Sequence, residues 1–112
     1  MSSAEHRIHI FGNDHSAFGK WLEGIDRQAR RRVTIALVRL EDGNTGALKS
    51  VGDGVHEIRL TYGPGYRVYL GQRGQTLVIL LHGGTKRRQS DDIAKAKALW
   101  CDYLDEENRK ET

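Results

Sequence analysis

Apolar positions recur with two different periods along this chain, and each change of period marks an element. Ile8 and Ile10 alternate with polar neighbours between His6 and Gly12, which predicts a short strand. Phe18, Trp21, Leu22 and Ile25 follow at helical spacing behind Asn13-Asp14, a capping pair, and Gly24 lies near the end of this first helix. A second helix is predicted from about Arg27 to Asp42. Its apolar stripe is Ala29, Val33, Ala36, Leu37 and Leu40, with Arg27, Arg31 and Arg39 off the stripe and Gly43 placed to cap the C-terminus. Residues 43–54 contain four glycines and little periodicity, and read as a loop.

Three strands are then predicted between turn signals. Val55 to Tyr62 sets His56, Ile58, Leu60 and Tyr62 on one face and Glu57, Arg59 and Thr61 on the other. Gly63-Pro64-Gly65 is a three-residue turn, and the return strand, Tyr66 to Gly71, alternates Tyr66, Val68 and Leu70 with Arg67 and Tyr69. Arg73-Gly74 turns the chain again. Thr76 to His82 is apolar on both faces, as a strand in the middle of a sheet would be, and Gly83-Gly84 is expected to break it. Ser90 can cap a last helix whose stripe is Ile93, Ala96, Trp100, Tyr103 and Leu104. The predicted fold is α+β, in the order β-α-α-β-β-β-α, with an antiparallel sheet packed on one face by helices.

Pairing Tyr62 with Tyr66 across the turn would place Thr61 opposite Arg67 and Tyr69 across from Arg59. The face carrying Ile58, Leu60, Val68 and Leu70 must bury against the helices. The other would stay open, lined by two arginines and a tyrosine, beside Lys86-Arg87-Arg88. Guanidinium and ammonium groups bind phosphate oxygens, and an exposed aromatic stacks on an unpaired base.

Length and charge sharpen this picture. At 112 residues the chain is one domain, 1–112, in which residues 101–112 form a polar, frayed helix end. The net charge is +3, but Asp102, Asp105, Glu106, Glu107 and Glu111 gather at the C-terminus, so the rest is more basic than that figure suggests. Between Arg27 and Leu40 stand five arginines and no carboxylate, a field that attracts nucleic acid or an acidic protein segment. One cysteine, Cys101, excludes an internal disulfide and fits a reducing cytoplasm. No apolar run approaches the roughly 20 residues of a membrane span, so no membrane partner is expected. The five histidines do not cluster at ligand spacing, His56-Glu57 lacks the second histidine of a zinc motif, and GGTK lacks the upstream glycine of a P-loop. No metal and no cofactor are expected.

Beyond residue types, a set of motifs has a family resemblance: Gly43-Asn44, Lys49, Gly52-Asp53-Gly54-Val55, Glu57-Ile58-Arg59, Gly63-Pro64-Gly65-Tyr66-Arg67-Val68-Tyr69, Gly83-Gly84, Lys86, Gln89, Asp92-Ile93 and Ala96 through Trp100. With Trp21-Leu22 and the arginine-rich second helix, this stretch, about residues 8–104, resembles the addiction-module killer toxins of the RelE/ParE/HigB superfamily of type II toxin–antitoxin systems. The resemblance implies a helix-packed antiparallel sheet and a cognate antitoxin as partner. It implies operator DNA bound only through that antitoxin, and an mRNA and ribosome target for the RelE-like and HigB-like members. Such members cut mRNA without metal by letting the 2′-OH attack the adjacent phosphate. ParE-like members instead inhibit DNA gyrase, and a third possibility is a non-toxic module that binds antitoxin.

Under the resemblance, Arg67 is the expected phosphate stabiliser, with Arg59 and Lys86 beside it and His82 as proton carrier. Lys49, Tyr69, Arg87 and Arg88 are the expected RNA-binding residues. Arg27, Arg30 and Arg31 are the expected antitoxin contacts.

Overall fold

A computed structural model describes residues 7–12, 16–74 and 77–111. Its elements are β1 (Arg7–Ile10), α1 (Ala17–Gly24), α2 (Arg27–Glu41), β2 (Leu48–Gly52), β3 (Val55–Leu60), β4 (Tyr66–Arg73), β5 (Leu77–Thr85), a 3-10 turn (Lys86–Arg88) and α3 (Gln89–Glu111). The helix ends are built as their chemistry requires. Ser16 Oγ accepts from the Gly19 N–H at the start of α1, and Asp26 Oδ1 accepts from the Ala29 N–H at 2.8 Å at the start of α2. Gly43 ends α2 with φ +93° and donates its N–H to the Leu40 carbonyl. The expected cap Asn13-Asp14 lies outside the described residues.

The sheet is five-stranded and mixed, in the order β1-β5-β4-β3-β2. Strand β1 runs parallel to β5, with Arg7 opposite Leu77, and the remaining pairs are antiparallel. Two features therefore correct the expected architecture. The sheet is not purely antiparallel, and a strand, β2, stands where residues 43–54 read as a loop. Strand β2 has only Leu48 and Val51 as apolar residues, and their odd spacing of three puts them on opposite faces, so no period-2 signal exists. The hairpin it forms with β3 turns at Asp53-Gly54, where both residues have positive φ. An Asp-Gly pair is the sequence best suited to such a tight turn.

A second correction concerns the faces. One side of the sheet buries Ile58, Val68, Leu70, Val78 and Leu80 against Phe18 of α1 and Val33 and Leu40 of α2. The other buries Val55, Tyr69, Ile79 and Leu81 against Ala96, Trp100 and Tyr103 of α3. The sheet is thus covered on both faces, because α3 carries an apolar stripe of its own that must also leave water. The apolar run of β5, two-sided in sequence, is the strand this sandwiching requires.

Strand β5 also continues through Gly83 and Gly84 instead of breaking there. A side chain at Gly83 would collide with the Trp21 indole, and one at Gly84 would collide with the Asp92 carboxylate. These glycines permit close approach of a helix side chain to the strand, on one face each. Helix α3 starts at Gln89, so Ser90 lies inside it, and it runs on to Glu111. Its polar end is tied to the sheet through Arg73, whose Nη1 lies 3.3 Å from Glu107. Among the described residues no helix is long and apolar enough to cross a membrane.

Candidate functional site

Register decides which polar side chains meet. Leu60 pairs with Tyr66, Arg59 with Arg67 and Glu57 with Tyr69, so the β3–β4 loop is two residues longer than the glycine-proline turn predicts. Arg59 faces Arg67 directly, and Tyr69 faces Glu57 instead of Arg59. On the α3 side one row therefore crosses four strands: Lys49 of β2, Glu57 of β3, Tyr69 of β4 and His82 of β5. The next row is Arg59, Arg67 and Gly84. The first turns of α3 roof these rows with Gln89 and Asp92.

Glu57 is at the centre and has no solvent exposure. Its carboxylate accepts from Arg59 Nε at 2.9 Å and from Gln89 Nε2 at 3.0 Å and 3.3 Å, and Arg67 Nε lies 3.6 Å away. Burying that carboxylate is tolerable because two guanidinium groups and an amide compensate it. Arg67 is itself nearly enclosed, while Arg59 keeps 49% of its side chain exposed. Arg67 Nη1 donates to the Gly65 carbonyl at 3.1 Å, and the Lys86 backbone N–H donates to the same oxygen at 2.9 Å. This shared acceptor seats Lys86 beside Arg67. The three expected phosphate ligands, Arg59, Arg67 and Lys86, are thus brought to one end of the sheet. Exposed Arg87 and Arg88 extend it along the 3-10 turn, and exposed Lys49 extends it onto the edge strand.

Other expected site residues stand differently. Tyr69 is fully buried under α3, so its ring is closed to a nucleobase, which corrects the expectation of an open aromatic. Burial first, then the negative charges of Glu57 and Asp92, push its phenol well above the ordinary value. His82 is not at a strand end. It lies within β5, stacked on Tyr69, with Nε2 3.1 Å from Asp92 Oδ1. Burial lowers its pKa, against the hydrogen bond to the Asp92 carboxylate that raises it, with Lys95 and Arg88 lowering it further. Arg67 Nε, the Tyr69 hydroxyl, His82 Nδ1 and Asp92 Oδ2 are buried and make no hydrogen bond of good geometry. Lys49 is on a strand, not a loop.

Arg27, Arg30 and Arg31 are exposed on α2, across the sheet, around a shallow depression with Gln28 and Thr34. Among the described residues no three His, Cys, Asp or Glu side chains are grouped to hold a metal ion. Glu57, Gln89 and Asp92 organise the cluster but receive no role from residue types alone. Their signal is positional: each stands inside a quoted motif, and Glu57 sits mid-strand where an unpaired carboxylate would be costly.

Comparison with known proteins places this cluster in a wider set. The family model described as Phage derived protein Gp49-like (DUF891) matches residues 20–100, which includes every strand of the cluster and the first half of α3. An uncharacterized protein of Haemophilus influenzae is 45% identical over 83 residues, 73% of this chain and 84% of that protein.

Proposed function

The chain belongs to the Gp49-like family, which is associated with toxin–antitoxin modules, and from that premise we propose that it is the toxin of such a pair, acting on mRNA at the ribosome. Family membership implies a cognate antitoxin as partner. The observation that carries the finer reading is the Gly65 carbonyl shared by the Arg67 guanidinium and the Lys86 backbone N–H, which puts those residues side by side with Arg59 half-exposed next to them. Among the described residues one carboxylate, the buried Glu57, opposes this group of cations directly, so an arriving phosphodiester meets net positive charge.

In this reading the substrate's 2′-OH attacks the neighbouring phosphorus, the bond to the 5′ oxygen breaks, and the products are a 2′,3′-cyclic phosphate and a free 5′-OH. Arg67, held from two sides, stabilises the charge that develops on the phosphorane; Arg59 and Lys86 clamp the non-bridging oxygens. A guanidinium fixed in advance needs no reorganisation at the moment of reaction. His82, the expected proton carrier, takes the proton from the 2′-OH and returns it as the imidazolium to the departing 5′ oxygen. Arg87, Arg88 and Lys49 bind flanking phosphates. Operator DNA is met only through the antitoxin, and the reaction belongs to the cytoplasm.

A second reading, a toxin that blocks a protein target such as gyrase without cutting RNA, is favoured by one observation: His82 and Tyr69 are both enclosed under α3. Induced expression followed by mapping of mRNA 5′ ends separates the two. Cleavage within translated frames is expected, and Arg67→Ala should reduce it by about a hundredfold or more. Growth arrest with intact transcripts and a DNA-damage response would overturn RNA cleavage and support the second reading.

A further inference from the structure

Two hollows of about 420 and 310 Å³ adjoin between α2 and the β2–β3 hairpin, and they share Ala36, Arg39, Arg59 and Leu60. They form one trough. Its charged lining is Arg32, Arg39 and Arg59; its apolar lining is Ala36, Leu48 and Leu60, continued to the surface by Ile35, which is 43% exposed. Helical spacing explains the first wall, since residues 32, 35, 36 and 39 fall on one flank of α2. Arg27, Arg30 and Thr34 fall on the opposite flank.

We propose that this trough is the docking site of the antitoxin, and that its occupant is an acidic amphipathic segment whose apolar side chains pack on Ala36, Leu48 and Leu60. Carboxylates of that segment pair with Arg32, Arg39 and Arg59. The inference rests on the chain being the toxin of a toxin–antitoxin pair, and not on the chemistry it performs.

Charge complementarity and apolar lining together select a polypeptide. The depression flanked by Arg27, Arg30 and Arg31 is completed by Gln28 and Thr34 and has no Ala, Val, Ile or Leu in its lining. An RNA strand would also meet the arginines, but the trough lacks a free aromatic face for its bases. The nearest ring, Tyr62, is already covered by the Arg32 guanidinium at 4.5 Å and stacks on Tyr66.

Arg59 gives the trough its consequence. The residue borders both hollows, and its side chain donates to Glu57 in the cationic cluster on the α3 side. A partner carboxylate on Arg59 therefore occupies a ligand that an incoming phosphate would need. Docking in the trough silences the cluster by direct competition for one guanidinium, without covering Arg67.

Titration calorimetry of the purified chain with the antitoxin encoded beside it tests the assignment. Arg39→Glu and Ile35→Asp lie on the surface and outside the catalytic cluster, so both should fold, which circular dichroism checks. Each should weaken the complex at least about tenfold, since a reversed charge or a buried carboxylate then faces the partner. Arg27→Glu and Arg30→Glu, on the opposite flank, should change it less than about threefold by the same reasoning. Unchanged affinity for Arg39→Glu and Ile35→Asp overturns the proposal. So does a result in which Arg39→Glu spares antitoxin binding but abolishes growth arrest, which would give the trough to RNA. Weakened binding by a toxin that leaves transcripts intact would support the trough while rejecting mRNA cleavage.

Discussion

Replacing Glu57 by leucine removes the one carboxylate on which the cluster is built. Arg67 then keeps its Gly65 carbonyl but loses its counter-ion, with only 7% of its side chain in water. Breaking a buried pair from one side costs about 3–5 kcal/mol, because the surviving charge stays desolvated. Arg59, half in solvent, turns outward and adds at most about 1 kcal/mol. For a domain of about 100 residues each kcal/mol moves the melting temperature by roughly 4–8 °C, so a fall of roughly 12–40 °C is expected. Thermal and urea unfolding followed by circular dichroism measure it. Two controls isolate the cause. Arg59→Leu, which leaves Glu57 its Arg67 and Gln89 contacts, should cost less than Glu57→Leu. The double variant Glu57→Leu/Arg67→Met should recover most of the loss, since a well-packed apolar pair replaces a buried ion pair at little cost. A Glu57→Leu protein within about 1 kcal/mol of wild type would refute the reasoning, as would a double variant no better than the single one.

Two further outcomes follow from neighbouring residues. Gly84→Ala forces its methyl group against the Asp92 carboxylate, separating it from His82; a loss of about 1–3 kcal/mol is expected in urea unfolding, while Gly74→Ala, a Cβ into open space, costs only its backbone strain. His82 has a folded pKa below its ordinary 6.5, so below that pH the unfolded chain binds the proton more readily; stability should fall as acid is added from 6.5 down through the depressed folded value, and His82→Gln should flatten that part of the pH–stability curve measured by chemical denaturation.

What could be read from residue order alone followed the strength of the periodic signals. Helix α2 begins at Arg27 and ends beside Gly43 as its stripe and cap predict, and β3 and β4 stand where alternation places them. Strand β2 escaped because its two apolar residues stand three apart, one on each face, and leave no alternation to read. The β3–β4 register escaped because Gly63-Pro64-Gly65 marks a turn without fixing which residues close it. Tyr62 and Thr61 belong to the loop, and that shift of two moved Tyr69 from Arg59 to Glu57. The burial of Tyr69 followed from α3, whose stripe at Ala96, Trp100 and Tyr103 was legible as a helix but not as a cover for the second face. Sequence names the cations of the cluster readily, because charge on a strand is conspicuous. Glu57 and Gln89 gain their meaning only from contact across 32 positions of chain.

The parallel pairing of β1 with β5 also bears on when this protein becomes competent. Strands β2 to β5 form a meander of neighbours in sequence, whose hairpins close over short spans and can zip early. Strand β1 has no such neighbour; it waits, threaded through two helices, for Leu77 to Leu80 to be made. During synthesis the cations of β3 and β4 exist before β5 has arrived to flank them and before Gln89 has sealed Glu57. The cluster is therefore complete only once the central strand and its following helix have emerged, and the order of translation itself delays its assembly.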